Sequence, residues 1–334
     1  MAVYTEIDNP ELYFQTVLWT GNDSARDITL GGSENMQPDL IWSKKRSNAH
    51  HAEIVDSVRG VQKFLIPSGT DAEYTDTDSQ DEFQADGFGI AGADRNWNEG
   101  GHTFVAWCWK ESATAGFDIV TYTGNGTAGN TASHSLSAAP SVVIVKKRSD
   151  TAQWAVGHKA MDSGFDYFMF LDADSAKGNA DNVFNDTAPS SSVITLGNAG
   201  DTNANTETYV AYCFAPKQGF SKFGKYSGNG NANGTFVYTG FRPAFIITKR
   251  TDSAGSWGMF DNKRSPFNVV DDRQNADLAE ADQEHADNSH DFLSNGFKVR
   301  TSDNQYNNSS GTYVFMAFAE QPFVNSNGVP CTAR

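Results

Sequence analysis

Apolar runs of four to seven residues, rich in Val, Ile, Phe, Tyr and Thr, recur along the chain between clusters of Gly, Asn, Asp and Ser. Runs of this length that are bounded by turn residues are typical of β-strands, and helical periodicity is rare. The acidic segment Asn275–Asp287 is the one stretch with some helical character, and we expect it to form a solvated surface helix or a loop. The pattern predicts an all-β fold.

One strand-to-turn phrase, an aromatic residue followed by Thr or Ser, Gly and Asn, occurs three times. It places Gly21, Gly124 and Gly228 at separations of 103 and 104 residues. Gly and Asn tolerate positive φ, so each phrase predicts a strand that runs into a tight turn. Two other landmarks recur at nearly the same spacing: a proline before an apolar run and a basic cluster (Pro38, Pro140, Pro243), and a threonine that opens a strand pattern (Thr103, Thr208, Thr312).

These landmarks predict three tandem β-sandwich or jelly-roll-like repeats of about 100 residues each, packed in series. Glycine, small residues and proline interrupt the strand patterns at Ser112–Phe117 and Pro216–Lys222, where we expect the boundaries. The predicted organisation is an N-terminal arm and three repeats, the last of which includes the C-terminal tail: residues 1–16, 17–116, 117–220 and 221–334.

The charge balance narrows the possible partners. The 334 residues include 25 basic and 41 acidic side chains, a net charge of −16. Such a surface repels phosphate backbones and anionic headgroups, so we expect no nucleic-acid partner. The apolar run that begins at Tyr313 has strand length, far below the roughly 20 residues of a membrane-spanning helix, so we expect no membrane insertion. The first residues lack the features of a secretion signal, which favours synthesis in the cytoplasm.

Motifs with known chemistry are sparse. Gly87–Gly92 formally matches the dinucleotide-binding pattern GxGxxG, but no βαβ unit surrounds it and we expect a plain strand and turn. Cys108 and Cys213 hold the same repeat position and are expected to be small buried hydrophobic residues. The pair His50–His51 belongs to no HExxH motif, and neither a GxSxG elbow nor a Walker loop occurs. We expect no catalytic residue, no cofactor and no metal ion.

Other stretches leave alternatives open. The acidic stretches Asp76–Phe83 and Asp172–Gly178 are expected to be solvated turns, with calcium binding as the alternative. The three basic clusters are expected to end strands and pair with acidic neighbours or protect strand edges, and the alternative is a binding role. Trp97 and Trp257 belong either to the core or to a surface that stacks on sugar rings. A glycosidase needs two carboxylates, and the 41 acidic residues point to no particular pair.

Long phrases of the sequence resemble a known family. They are ELYFQTVLWTGN, PDLIWSKKRS followed by DSVRG, TYVAYCFAPKQGFSKFGKYSGNGNANGTFVYTGFRPAFIITKRTDS and GTYVFMAFAEQPFVNSNGVP. From Glu11 onward the chain resembles virion proteins from bacteriophages of marine bacteria and cyanobacteria. The resemblance implies β-rich repeated modules that serve as tail-fibre or other structural components. The chain departs from that pattern at Asp94–Phe104 and in the acidic loop of the third repeat, so shared ligand specificity does not follow.

The combined expectation is a non-enzymatic virion protein on the particle exterior, foremost a tail-fibre or receptor-contacting component, made in the cytoplasm of the infected host. Its expected partners are other virion proteins and a host-surface glycan or receptor. One alternative is a capsid decoration or head-fibre protein, because three similar units in one chain approximate a trimer. The other is a carbohydrate-binding or polysaccharide-degrading protein.

Overall fold

The computed structural model describes residues 5–331. Strands take up 42% of the chain and helices 5%. In the described range the α-helices are single turns, α1 Asp181–Phe184, α2 Gly200–Asn203 and α3 Asn304–Asn307, and 3₁₀ turns span Pro10–Leu12 and Ala286–Asn288. The sheets are antiparallel. The prediction of an all-β fold is therefore confirmed.

The strands fall into three consecutive groups, named units 1, 2 and 3. Unit 1 contains β1 Phe14–Thr20, β2 Arg26–Thr29, β3 Leu40–Lys45, β4 Glu53–Asp56, β5 Lys63–Phe64, β6 Tyr74–Thr75, β7 Gln80–Gln84, β8 Gly87–Ile90 and β9 Thr103–Trp109. Unit 2 contains β10 Phe117–Thr123, β11 Asn130–Ser133, β12 Val142–Lys147, β13 Ala155–His158, β14 Tyr167–Phe170, β15 Gly178–Asn179, β16 Val193–Leu196 and β17 Thr208–Phe214. Unit 3 contains β18 Ser221–Ser227, β19 Phe236–Tyr238, β20 Phe241–Arg250, β21 Gly258–Asp261, β22 Asp272–Asn275, β23 Gln283–Glu284, β24 His290–Leu293, β25 Gly296–Val299 and β26 Thr312–Pro322.

Each unit has a large sheet in which the first strand pairs with the last, the last with the third and the third with the fourth. The strand orders are β1-β9-β3-β4, β10-β17-β12-β13-β14-β15 and β18-β26-β20-β21-β22-β23. A smaller sheet accompanies each large one, with orders β2-β8-β7, β11-β16 and β19-β25-β24. Equivalent aromatic pairs stack between first and last strands with ring centroids 5.4, 5.1 and 4.9 Å apart: Trp19 with Phe104, Tyr122 with Tyr209 and Tyr226 with Tyr313.

The large sheets are buried on both faces. Every residue of β3 and β12 is buried. In units 1 and 2, one face packs with the small sheet of the same unit, and Cys108 and Cys213 lie there, buried as predicted. The other face of all three large sheets contributes to one shared core. Near its middle the Phe318 ring lies 5.6 Å from Trp109 and 5.9 Å from Phe214.

The units close into a ring, and the expectation of units packed in series is wrong. Each unit contacts both others: Arg148 of unit 2 bonds Glu73 of unit 1 at 2.9 Å, Lys249 of unit 3 bonds Ser175 of unit 2 at 2.7 Å, and Trp107 of unit 1 bonds Asp261 of unit 3 at 3.0 Å. The reason is the second apolar face of each large sheet. A ring covers all three such faces, whereas a series leaves apolar area exposed at its ends.

The strand bounds bear on the predicted division of the chain. β1 begins at Phe14, which lies inside the stretch 1–16 predicted as an arm. β10 and β18 begin at Phe117 and Ser221. The outermost parts of the arm and of the C-terminal tail lie outside the described residues 5–331. The division into three repeats itself stays a prediction.

The acidic segment Asn275–Asp287 is a loop with a short strand, β23, and a 3₁₀ turn at its end. Its helical alternative is wrong. The carbonyl of Leu278 accepts a hydrogen bond from Lys44 at 3.1 Å, and Asp282 forms an ion pair with Arg46. Part of the segment therefore faces the cations of unit 1, whereas Gln283, Glu284 and His285 are exposed to solvent.

Candidate functional site

The residues that sequence motifs single out lie in strands or make ordinary surface contacts. Burial raises the pKa of both Cys108 and Cys213, so neither thiol is a ready nucleophile. Gly87–Ile90 forms β8, the central strand of its small sheet, which confirms the plain-strand interpretation of the GxGxxG match. His51 is exposed, and its Nδ1 bonds the hydroxyl of Ser68 at 2.8 Å.

Both tryptophans considered for sugar stacking are buried. The indole N–H of Trp97 donates to Glu53 Oε2 at 2.6 Å, and that of Trp257 donates to the carbonyl of Phe170 at 2.9 Å. The core alternative therefore applies to both. Burial raises the pKa of Glu53 to about 8, which favours the protonated form of this carboxyl.

The acid-rich stretches make internal hydrogen bonds. Asp172 accepts from the backbone N–H of Trp154 at 2.8 Å, and the carbonyls of Asp174 and Ser175 accept from Lys249 at 3.0 and 2.7 Å. Among residues 5–331, no three acidic, His or Cys side chains are grouped so that they could hold a metal ion. The contacts of Asp172–Gly178 agree with the turn interpretation. In Asp76–Phe83 that interpretation is wrong for the second half, because Gln80 begins β7 and is buried.

The recurring Gly-Asn turn docks on a buried asparagine. In unit 2 this is Asn203, whose Nδ2 donates to the carbonyls of Gly197 and Thr127 at 2.7 and 2.9 Å, and whose Oδ1 accepts from the N–H of Asn125 at 2.9 Å. A Cβ on Gly124 would lie 2.2 Å from the carbonyl oxygen of Ala204, so the close approach of the two backbones, and not a positive φ, requires glycine here. Asn98 and Asn307 make the equivalent bonds in the other units.

The first lysine of each basic cluster links one unit to another. Lys44, Lys146 and Lys249 are buried, and each donates from Nζ to a carbonyl of the neighbouring unit, those of Leu278, Thr70 and Asp174 at 3.1, 2.8 and 3.0 Å. Burial lowers the pKa of all three to about 8. Later members of the clusters do pair with acidic residues, Arg46 with Asp282 and Arg148 with Glu73, as the sequence predicts. The buried role of the lysines is one that the sequence analysis missed.

We call the three contacts between neighbouring units joints. A buried ion pair lies at two of them. Asp56 contacts Arg59 and Asp261 contacts Arg264, and all four side chains are fully buried. Burial raises the pKa of Asp261, but the charge of Arg264 outweighs it and the pKa lies below the usual value. These groups are held by one another and by their neighbours. All four side chains lie away from solvent.

The shared core encloses a small cavity of about 30 Å³, lined by side chains of all three units that include Trp42, Tyr212 and Phe245. That volume accommodates about one water molecule. It is too small for a substrate.

One surface of unit 3 brings exposed aromatic side chains and lysines together. We name it the Tyr238 surface and define it by Lys217, Lys222, Phe236, Tyr238 and Phe323. Phe236 and Tyr238 are 44% and 53% exposed on the edge strand β19. Two recesses of about 490 and 220 Å³ flank Tyr238, and Lys222 lines both. The larger recess falls within the usual size range of ligand pockets.

Lys222 is the central polar group of the Tyr238 surface. Its Nζ donates to the carbonyl of Tyr238 at 2.8 Å and lies 5.0 Å from the centre of the Tyr238 ring. Partial burial lowers its pKa. Within residues 5–331 it forms no ion pair, whereas Lys217, in the same recess, lies 3.6 Å from Glu6. The surface thus offers an ammonium group without a carboxylate partner beside an exposed aromatic ring.

The corresponding surfaces of units 1 and 2 lack these aromatics. The backbone register of the small sheets places Asp27 and Thr29 of β2, and Thr131 and Ser133 of β11, at the outward positions that Phe236 and Tyr238 hold in β19. No motif in the sequence marks the Tyr238 surface. The available signal was the segment TFVYTG, in which both outward positions of a strand are aromatic.

Comparison with known proteins gives a family. A family model described as a domain of unknown function (DUF7483) matches residues 9–322. The chain belongs to this DUF7483 family. No curated protein and no solved structure matches the chain. The DUF7483 match spans the strands of all three units.

The described part of this DUF7483 chain has no helix with the length and apolar character required to cross a membrane.

Proposed function

We propose that this chain is a non-enzymatic structural protein of the bacteriophage virion exterior, where it acts as a tail-fibre or receptor-contacting component. The observation that carries the proposal is the Tyr238 surface, an exposed aromatic and basic patch on a closed ring with an extensive core. A rigid body with one distinctive surface suits attachment, because little conformational freedom is lost on binding. The resemblance to virion proteins of marine bacteriophages supports the same role.

The buried ionisable groups also favour a structural role. Glu53, Asp56, Lys146 and Arg264 all bond protein groups in the interior of the ring. Each of these contacts joins two groups of the same unit, so the side chains serve the packing of the interior.

The test is the location of the protein on intact particles. Mass spectrometry of purified virions, followed by immunogold electron microscopy with an antibody to this chain, should detect the protein and place the label on the tail or its fibres. Absence of the protein from purified virions contradicts the proposal. A non-virion protein of the host, measured in the same preparations, controls for contamination.

A second candidate function is capsid decoration, and the ring favours it. Three units with the same strand order surround one shared core, a shape that matches a local three-fold position on a capsid. Label spread over the head, with none on the tail, would favour this role and exclude the tail-fibre role.

A further inference from the structure

We propose that the Tyr238 surface binds an acidic saccharide, a pyranose unit with a carboxylate or sulfate group, with its ring on Tyr238 and its anionic group at Lys222. This inference rests on the proposed function, since it names the class of host-surface ligand that the receptor-contacting surface would recognise. Lys222 and Tyr238 line both recesses, so a ligand in either one meets both side chains.

The aromatic residues supply the platform. Tyr238 and Phe236 lie two residues apart on a three-residue edge strand, so their side chains project on the same side of it. A sugar ring presents faces of C–H groups that pack on an exposed aromatic ring, while its hydroxyl groups remain in water. The indented surface beside the strand, about 490 Å³ on one side, gives the sugar further contact area.

The positive charge of Lys222 favours an anionic group on the ligand. The Lys222 ammonium donates one of its three N–H groups to the Tyr238 carbonyl, and two remain for a ligand. It is half-buried and forms no ion pair in the described part of the chain. An anion there gains a charge-assisted hydrogen bond that is stronger than one from a neutral donor. The whole chain carries a net charge of −16, so away from its cationic groups the molecule repels anions.

Units 1 and 2 provide an internal comparison. At the position of Lys222 they have Gln15 and Asp118, and at the position of Tyr238 they have Thr29 and Ser133. At these two equivalent positions, neither unit combines an aromatic side chain with an ammonium group. The proposal therefore predicts one saccharide site per chain.

The test is calorimetric titration of the full chain with three hexasaccharide probes: oligogalacturonate, which carries carboxylates, a chondroitin sulfate fragment, which also carries sulfates, and uncharged maltohexaose. We expect the acidic probes to bind with about one site per chain, maltohexaose to bind at least about tenfold more weakly, and high salt to weaken binding of the acidic probes. Lys222→Gln and Tyr238→Ser should each weaken binding of the acidic probes by about tenfold or more. Tyr238→Ser copies the residue of unit 2, so the fold should tolerate it.

Two matched variants control for nonspecific effects. Lys159→Gln removes an exposed lysine of unit 2, and Phe267→Ser removes an aromatic residue that is 78% exposed elsewhere on unit 3. Both should bind the acidic probes as the original chain does. The proposal is overturned if neither acidic probe binds, if maltohexaose binds equally well, or if Lys222→Gln and Tyr238→Ser bind like the controls.

The outcome is separable from that of the proposed function. Binding is measured on purified protein, whereas the proposed function depends on detection in virions. A protein found on the tail that binds none of the probes retains its virion role and loses the saccharide inference. A protein absent from virions that binds acidic probes through Lys222 loses the virion role alone.

Discussion

One buried position at the joints between units holds a carboxylate in two units and a histidine in the third. The last residue of the fourth strand is Asp56 in unit 1 and Asp261 in unit 3, and each pairs with an arginine three residues later. In unit 2 the same position is His158, and Met161 replaces the arginine. The strand geometry is retained while the charge is lost, so the ring does not require an ion pair at every joint.

In units 1 and 3 the neighbouring unit offers a hydrogen-bond donor. The hydroxyl of Tyr212 donates to Asp56 at 2.8 Å, and the indole N–H of Trp107 donates to Asp261 at 3.0 Å. A carboxylate suits these positions, because it accepts the hydrogen bond from the neighbouring unit and the arginine balances its charge.

At the third joint the neighbour offers an acceptor instead. Met316 of unit 3 stands where the other units have Tyr212 and Trp107, and it has no donor. His158 donates from Nε2 to the carbonyl of Phe315 at 3.2 Å, and its Nδ1 accepts from the N–H of Ala160 at 3.0 Å. The direction of the hydrogen bond is reversed. The side chain at each joint is thus matched to its neighbour in the next unit.

The largest expected effect comes from removal of the arginine at a carboxylate joint. Arg59→Met leaves Asp56 buried without its counter-charge, and we expect the free energy of unfolding to fall by about 3–5 kcal/mol. The double variant Asp56→His with Arg59→Met copies unit 2 and should recover part of that loss, because no buried charge remains. Urea unfolding followed by tryptophan fluorescence measures both.

Arg148→Gln is the matched control. Arg148 belongs to the same network through Glu73, but its side chain is 23% exposed, and we expect a loss of about 1 kcal/mol or less. If Arg59→Met costs no more than Arg148→Gln, the interpretation of the joint as a buried charge pair is wrong.

The second effect concerns pH and separates the joint of unit 2 from the other two. Burial lowers the pKa of His158 to about 4, against about 6.5 in an unfolded chain. Between these values the unfolded state binds more protons than the folded state, so the free energy of unfolding decreases as pH falls. The histidine contributes at most about 1.4 kcal/mol per pH unit. Asp261, whose pKa is lowered, stays charged through this window.

His158→Gln should make this pH dependence shallower, because the amide retains a donor for the Phe315 carbonyl and does not titrate. Urea unfolding at several pH values between 4 and 7 measures the slope. His51→Gln, at an exposed histidine of unit 1, should leave the slope unchanged. Equal slopes for His158→Gln and the original chain would show that His158 does not titrate in this window.

The all-β fold was predictable because turn residues bound short apolar runs, which is local information. The closure into a ring was not, although the fully apolar strand Leu40–Trp42 and its equivalents indicated sheets buried on both faces. Lysines close to the ends of such strands suggest solvent exposure. Lys44 and Lys146 are instead buried by carbonyls from loops about 75 residues or more away, which no local pattern reveals.

The candidate site was also beyond the sequence analysis for a physical reason. Exposed and buried aromatics are equally apolar, and in strands their direction depends on register. Trp97 and Trp257 were the conspicuous residues, and both are buried, whereas Tyr238 became visible as an exposed ring only once the pairing of β19 with β25 fixed which side chains point outward.

The smallest of the expected effects tests a position that all three units share. Asn98→Ala, Asn203→Ala and Asn307→Ala should each lower the free energy of unfolding by about 1–3 kcal/mol, because each leaves buried backbone groups without a partner. The three costs should agree within about 1 kcal/mol, since three equivalent bonds to backbone groups recur in each unit. Asn205→Ala, an exposed asparagine near the same turn, should change the value by about 0.5 kcal/mol or less.

Unequal costs at these asparagines would mean that the units differ in local stability even where their bonds are identical. The contrast between His158 and the carboxylate joints would then reflect the stability of whole units. Equal costs would restrict the difference to the joints, where each side chain answers a neighbour from another unit: a donor at Asp56 and Asp261, an acceptor at His158. The asparagine variants therefore test the fold within a unit, and the variants at the joints test the contacts that set the order of units around the ring.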